Sequence, residues 1–486
     1  MTAVSLAALS ATPAFAQQNG ANEGNKGIED IVVTAQRRNE SAQDAPIAIT
    51  AFNAATIEAR GISSALDVTQ YVPNLVGFNN TGLGTANAYY LRGVGNTESI
   101  ATFDPPIGTY IDDIYISRQN ANNFNFFDVE RVEVLRGPQG TLFGRNTTGG
   151  AISVVMKEPG DRLGGFAEAG YGSYDRKLLR ASVDLPLGQR FGIKVSGYWQ
   201  DDNGYAKNSI TNETTNENDG WGLRLGVKGE LSDSVTWNAS YTHTFTDSAN
   251  LLNFDCDPVN PANCNGRFVS TGLKKISDFG GRFTGAKNNF GLGNTAKMDL
   301  ISSNLQFALG DKLSINLITG YVDLAQKFAL DAGADNATAC GVGIVAPNGK
   351  LSEPVRSPDW TVALGMSYEA PLGGGLSLIP SLNASWRSES ETGTSQVSFF
   401  DQSFTSSPGG IVYPVNTAYR GNYLTGSFSK ARWITNASLT LKSEGGWSLV
   451  AECKNCFDEE AVESSLVNYS YLNPPRTWAL RAKYAF

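Results

Sequence analysis

Histidine occurs once in the 486 residues, at His243. No nucleophile–base pair, phosphate-cradling loop or metal-ligand cluster stands elsewhere in the chain, so the sequence reads as a non-enzyme with no cofactor and no metal. The loop carboxylates Asp255, Asp257, Asp331 and Asp335 are read as solvating groups. Clustered basic residues are also missing, and the formal net charge is −9, which argues against nucleic acid as a partner because phosphate binding needs a basic surface. Long apolar runs are missing too. Apart from Val4–Ala11, nothing approaches the ~20 apolar residues of a spanning helix. A membrane protein built from this chain must therefore be a closed β-barrel, the other structure that satisfies every backbone group in lipid.

What is present divides the chain. Val4–Ala11 leads to Pro13-Ala14-Phe15-Ala16-Gln17, an A-x-A pattern that suits signal peptidase, so 1–16 reads as a signal peptide. Met1-Thr2-Ala3 lacks the basic residues of a signal's first region; either the true start lies upstream or export is impaired. Residues 17–40 read as a mobile N-terminal segment. Residues 41–160, with short apolar runs, Gly/Pro turns and short helices expected near Ala54–Arg60 and Ser64–Val72, read as a compact α+β domain.

From 161 to 486 the pattern is all-β and antiparallel. Segments of about 10–14 residues alternate with the period of a strand that has two unlike faces. Trp221, Leu223, Leu225, Val227 and Leu231 share one phase, and Arg224, Lys228 and Glu230 share the other. About twelve such strands are visible. Connections alternate between tight turns (Pro186–Gln189, Ser232–Ser234, Gly310–Lys312, Leu372–Gly375, Ser443–Gly446) and mostly long polar loops, the signature of an outer-membrane barrel. His243 falls in phase with Tyr241 and Phe245 and is assigned to the lipid-side aromatic girdle. Trp478, Leu480, Ala482, Tyr484 and Phe486 alternate with Arg481 and Lys483. A strand of this kind ending on an aromatic resembles the C-terminal signal of bacterial outer-membrane barrels, carried here by Trp478, Tyr484 and Phe486.

The N-terminal half carries the more specific resemblance. Ile28–Arg38, Val72-Pro73-Asn74-Leu75, Leu91-Arg92-Gly93, Pro106–Asp112, Val129–Gly144 and Asn146–Val154 occur in the order found in the TonB-dependent outer-membrane receptors, which the chain resembles over nearly its whole length. The resemblance implies a plug domain before a membrane barrel. It implies uptake of a scarce ligand such as an iron chelate, cobalamin or saccharide, with a location in the bacterial outer membrane. The implied partners are the energy-coupling protein TonB, outer-membrane lipid, the barrel-assembly machinery and a small-molecule ligand. Residues Asp30, Ile31, Val32, Val33, Thr34 and Ala35 correspond to the family's TonB box. Ile31–Thr34 is β-prone and can add a strand to a sheet edge.

Arg92-Gly93 and Arg136-Gly137-Pro138 place a guanidinium beside a turn, and are read as docking residues that pair with carboxylates of the barrel. Five cysteines in an exported chain can oxidise. Cys256 and Cys264, in an expected external loop, are candidates for a disulfide; Cys453 and Cys456 form a local disulfide or remain thiols; Cys340 is left unpaired.

One feature departs from the resemblance. Plugged transporters of this kind have about twenty-two strands, so the ~0.3 of their cross-section that twelve strands enclose is too small for such a plug. Three outcomes stay open: the sheet is open, the plug sits outside it, or the chain is a receptor with an internal deletion whose join lies in Tyr321–Pro347. A transport-incompetent outer-membrane structural or binding protein is the alternative function.

Overall fold

The structure, a computed structural model, describes residues 32–34, 40–79, 84–96, 104–208, 212–248, 266–270, 293–310, 313–329, 358–392, 404–405, 412–413, 428–466 and 469–486. It has two parts, a small α+β domain and a long antiparallel wall.

The small domain opens with a short antiparallel pair, β1 (Val32–Val33) and β2 (Glu40–Ser41). Strand β3 (Ile49–Asn53) runs into helix α1 (Ala54–Ala59). The Asn53 side chain caps α1 by accepting from the Thr56 N–H at 2.9 Å, one of the donors that a helix start leaves unpaired. A 3-10 turn at Asp67–Gln70 stands where the second helix was expected. There follow β4 (Leu75–Asn79), β5 (Asn87–Leu91), β6 (Ile107–Ile111), β7 (Ile114–Ile116), β8 (Val129–Arg136) and β9 (Gly150–Met156). The central sheet has the order β3-β8-β9-β6-β7, parallel only between β9 and β6. Its inner strands β8, β9 and β6 are largely buried on both faces, which is why they read as apolar runs and not as alternation.

The wall is built from β10 (Gly164–Gly172), β11 (Arg176–Leu187), β12 (Phe191–Asp201), β13 (Asn218–Ser232), β14 (Val235–Ser248), β15 (Gly293–Leu309) and β16 (Leu313–Ala329). It continues with β17 (Thr361–Ser367), β18 (Leu376–Arg387), β19 (Arg432–Ser443), β20 (Trp447–Lys454) and β21 (Thr477–Ala485). These twelve form one path, β16-β15-β14-β13-β12-β11-β10-β21-β20-β19-β18-β17, with Ala370–Gly373 pairing beside β18 as a thirteenth strand off it. The first wall strand pairs with the last, Ala167 opposite Tyr484 and Gly172 opposite Ala479. Neighbours in sequence are neighbours in space, as tight turns require.

The expected phases hold. Trp221, Leu223, Leu225 and Leu231 are exposed, while Gly222, Arg224 and Gly226 between them are buried. Tyr171, Trp199, Ile301, Trp478, Leu480 and Tyr484 belong to the same outward apolar surface. An apolar band on one face of a sheet suits lipid.

Of the two arrangements that the strand count left open beside an internal deletion, the structure shows the open sheet. Among the described residues no strand pairs with the outer edge of β16 or of β17. The small domain lies on the inward face and touches both edge strands. Asn74 meets Thr361 on β17 at 2.7 Å and 2.9 Å, and Ile114 packs on Gly320 of β16, where a Cβ would sit 2.3 Å from it.

Candidate coupling segment and plug interface

The packing between the two parts starts from the inward side chains of the wall. Tyr198, Met298 and Leu300 belong to the same hydrophobic cluster as Ile57, Tyr71, Phe124 and Val132 of the small domain. Around that cluster the contacts are charged. Lys454 reaches Asp67 at 2.8 Å, Lys483 reaches Glu58 at 2.6 Å, Arg224 reaches Asp112 at 2.6 Å and Lys194 reaches Asp128 at 3.4 Å. Hydrogen bonds to neutral acceptors add to these, with Asn436 donating to Gln70 at 2.6 Å and Arg387 to the Thr69 and Leu75 carbonyls at 3.3 Å and 3.4 Å.

The pattern is directional: the small domain supplies carboxylates and the wall supplies cations. For Asp67, burial raises the carboxyl pKa, but the Lys454 ammonium and the Ser63 donors outweigh it and hold the group below the usual range. Charges with partners of this kind can be buried; without them each would carry a desolvation penalty of several kcal/mol.

Most of these docking residues escape a reading of the sequence. Glu58, Asp67, Asp112 and Asp128 lie in four different stretches, and their partners lie between 66 (128 to 194) and 425 (58 to 483) positions away. The available signal was on the wall side, where Arg224, Lys228, Arg481 and Lys483 fall in the inward phase of strands with apolar outward positions.

The residues expected to dock do something else. Arg92, at φ 53°, and Gly93, at φ 80°, make the tight turn after β5 and are exposed. Arg136 donates to the Ile49 carbonyl inside the small domain at 3.4 Å; its guanidinium pKa is lowered by burial and by the nearby Arg92. Gly137 turns the chain at φ 95°, where a side chain would be strained, and Pro138 is exposed. Among the described residues neither arginine has an ion pair with the wall, so docking passes to the groups above.

Of the six expected coupling residues, Val32, Val33 and Thr34 are described; Asp30, Ile31 and Ala35 lie outside the described residues. Residues 17–40 are expected to be mobile; in the structure Val32 is exposed, and Val33 and Thr34 rest on the small domain. Val33 is 0% exposed and packs with Tyr110, Leu135, Phe143 and Ala151. Thr34 donates its N–H and its hydroxyl to Glu133 Oε1 at 2.9 Å and 3.2 Å. Arg131 closes the clasp, bonding Glu133 at 2.8 Å and Thr34 Oγ1 at 3.0 Å. Beside the seat a cleft opens between the small domain and β13–β16, lined by Val32, Thr34, Asp233 and Ser234 among others. Asp233 and Ser234 form a tight turn, so the coupling strand lies at the tight-turn end of the wall.

Cys453 and Cys456 form a disulfide at the end of β20; Cys256, Cys264 and Cys340 lie outside the described residues. His243 faces outward, its ring 4.8 Å from that of Trp221, with Nδ1 2.8 Å from Asp299 and Tyr241 donating to the same carboxylate. Trp478, Tyr484 and Phe486 are all exposed, and Phe486 exchanges backbone hydrogen bonds with Gly165 at 3.0 Å each way.

Comparison with known proteins places these features. Residues 41–151 match the model of the TonB-dependent receptor plug domain. The chain is 26% identical over 176 residues to the pesticin receptor of Yersinia enterocolitica, covering 36% of this chain and 25% of that protein. It is 26% identical over 222 residues to the vitamin B12 transporter BtuB of Vibrio vulnificus, covering 45% of this chain and 33% of the other. The chain thus spans about a quarter to a third of the length of these curated relatives. In fold it is similar to the Pseudomonas aeruginosa receptor FpvA, with a TM-score of 0.59 at 11% identity over 93% of this chain and 88% of that one. It is likewise similar to the ferric yersiniabactin uptake receptor FyuA of Yersinia pestis, with a TM-score of 0.54 at 12% identity over 92% of this chain and 98% of that one.

Proposed function

We propose that this chain, a TonB-dependent outer-membrane receptor by its plug domain and its fold, takes up a scarce small ligand with energy delivered by TonB through residues 30–35. The observation that carries the reading is the placement of Val32–Thr34. A short β-prone strand sits at the tight-turn end of the wall, beside an open cleft, held by one clasp and one buried valine. The resemblance implies that this end faces the periplasm, where TonB would meet it. Release of the clasp frees backbone N–H and C=O groups to pair with the edge of a partner sheet. The ligand would be an iron chelate, a cobalamin or a saccharide, the compounds the resemblance implies.

The test is binding of the isolated TonB C-terminal domain to the purified chain in lipid nanodiscs, with and without deletion of residues 30–35. The reading expects saturable binding that the deletion abolishes. Equal binding by both chains contradicts it.

The edges of β16 and β17, which no other strand among the described residues pairs with, favour a second reading, in which the protein sits in the outer membrane and binds without transporting. Its signature is TonB binding that depends on residues 30–35, together with no uptake of labelled cyanocobalamin or of a panel of ferric chelates by cells that carry the chain as their sole receptor.

A further inference from the structure

The disulfide at the end of β20 joins Cys453 to Cys456, and the two residues it encloses are Lys454 and Asn455. Strand β20 leaves the tight turn at Ser443–Gly446 and ends at Lys454, so the disulfide stands at the end of the wall opposite the tight turns. Side chains alternate along a strand. Leu449 and Ala451 are exposed on the outward face, and Cys453 follows them in phase, opposite the exposed Trp478 of β21. Lys454 falls in the other phase and reaches the plug, donating to Asp67 Oδ2 at 2.8 Å and to Ser63 Oγ at 3.1 Å.

Asn455 reaches the same stretch of plug through a neighbour. Its N–H donates to Asn436 Oδ1 at 2.9 Å, and Asn436 Nδ2 donates to Gln70 at 2.6 Å. Asn455 itself is buried and held at φ 48°, a left-handed conformation that few residues other than glycine and asparagine adopt. Its side chain donates to the Glu459 and Pro474 carbonyls at 2.8 Å and 3.1 Å, and the Cys456 N–H donates to the Thr435 carbonyl at 2.8 Å. These hydrogen bonds define the closed loop, and the covalent link removes the open conformations that compete with it. Cys453 and Cys456 are both partly exposed, within reach of a small reagent.

From a disulfide that is exposed on one face and encloses plug contacts on the other, we infer that Cys453–Cys456 is a thiol–disulfide exchange site that sets how firmly the plug is held. Its reactant is a small thiol or dithiol. A reductant thiolate attacks one sulfur and forms a mixed disulfide. A second reductant thiol then resolves it; the S–S bond is broken by two electrons, Cys453 and Cys456 leave as thiols, and the reductant leaves as its own disulfide. Cys-x-x-Cys is also the spacing of exchange-active dithiols. Once the loop opens, the Lys454 ammonium is no longer fixed at Asp67, and Asn436 loses the N–H that orients its amide towards Gln70. The inference concerns the seat of the plug and not TonB, so its failure and the failure of coupling through residues 30–35 are separate results.

The test is limited proteolysis of the plug in the full chain, held in nanodiscs, with and without excess dithiothreitol. Iodoacetamide labelling and mass spectrometry count the thiols at Cys453 and Cys456 in the same samples. The inference expects both thiols to appear and plug cleavage to quicken at least threefold, with the original rate returning on reoxidation by oxidised glutathione. The Cys256→Ser, Cys264→Ser, Cys340→Ser chain keeps this response, and the Cys453→Ser, Cys456→Ser chain is cleaved at the fast rate with or without reductant. Lys454→Met raises the rate of the oxidised chain and leaves little for the reductant to add. Unchanged cleavage of the reduced parent overturns the inference, and that arm needs no variant to fold. Failure of dithiothreitol to open the bond overturns it too, as does loss of the response in the chain without the other three cysteines. A Lys454→Met chain that responds as fully as the parent also overturns it, because the loop would then act on the plug by another route.

Discussion

At the scale of single residues, the contacts that matter join positions far apart in sequence. Gly320 is the clearest. A β-carbon there would stand 2.3 Å from Ile114 Cδ1 and 2.7 Å from Cγ1, so its lack of a side chain is what lets the plug approach edge strand β16. Gly320→Val should cost ~1–3 kcal/mol of overpacking, read as a lower thermal midpoint and faster proteolysis of the plug. Ile114→Ala in the same chain should restore most of the loss, because the pair is coupled. If the double variant is no better than Gly320→Val alone, Ile114 is not what occupies that space. Neither residue stands out in the sequence: Gly320 is one of 52 glycines, and its meaning depends on a neighbour 206 positions away, from 320 and 114.

At the scale of elements, the wall was legible and the interface was not. A strand with lipid on one side and polar or plug-facing groups on the other writes its two faces into alternate residues, so β13, β14 and β21 could be read from Trp221–Leu231, Val235–Phe245 and Trp478–Phe486. The inner plug strands are largely buried on both faces and carry no such period; they were found through the motif Val129–Gly144 and its companions. Arg136 of that motif, and Arg92 before it, were read as docking residues because in sequence a guanidinium next to a turn looks the same whatever it faces. The seating of β1 was likewise invisible, since it depends on Glu133, a fully buried carboxylate nearly a hundred residues later. That seat makes a prediction for the coupling element. Glu133→Gln keeps an acceptor for Thr34 but removes the charge, and charged hydrogen bonds are roughly twice as strong as neutral ones. A weakening of ~1 kcal/mol raises the population of the released strand, so the variant should bind the TonB C-terminal domain about fivefold more tightly. Weaker or unchanged binding would show that β1 does not have to leave Glu133 to be recognised.

At the scale of the whole molecule, the strand count and the plug set each other's terms. Twelve strands closed on themselves leave too little lumen, whereas a plug of about 110 residues has a radius of gyration of ~13 Å. Kept inside, the plug holds the sheet open, and the wall instead curls along it from Thr361 on β17 to Gly320 on β16. The strand directions would allow closure, since β16 runs away from the tight-turn end and β17 runs towards it. Volume therefore opposes closure, and topology does not. The outer edges of β16 and β17, unpaired among the described residues, are costly in lipid, where no water satisfies the backbone.

The direct measurement is the distance between β16 and β17. Spin labels at Tyr321 and Leu364, both outward and exposed, report it by double electron–electron resonance on the chain in nanodiscs. A plug seated inside an open wall predicts a separation above ~20 Å, at least four strand spacings. A distribution confined to the ~5 Å backbone spacing of paired neighbours, broadened only by the label arms, would mean that the sheet has closed and the plug lies elsewhere.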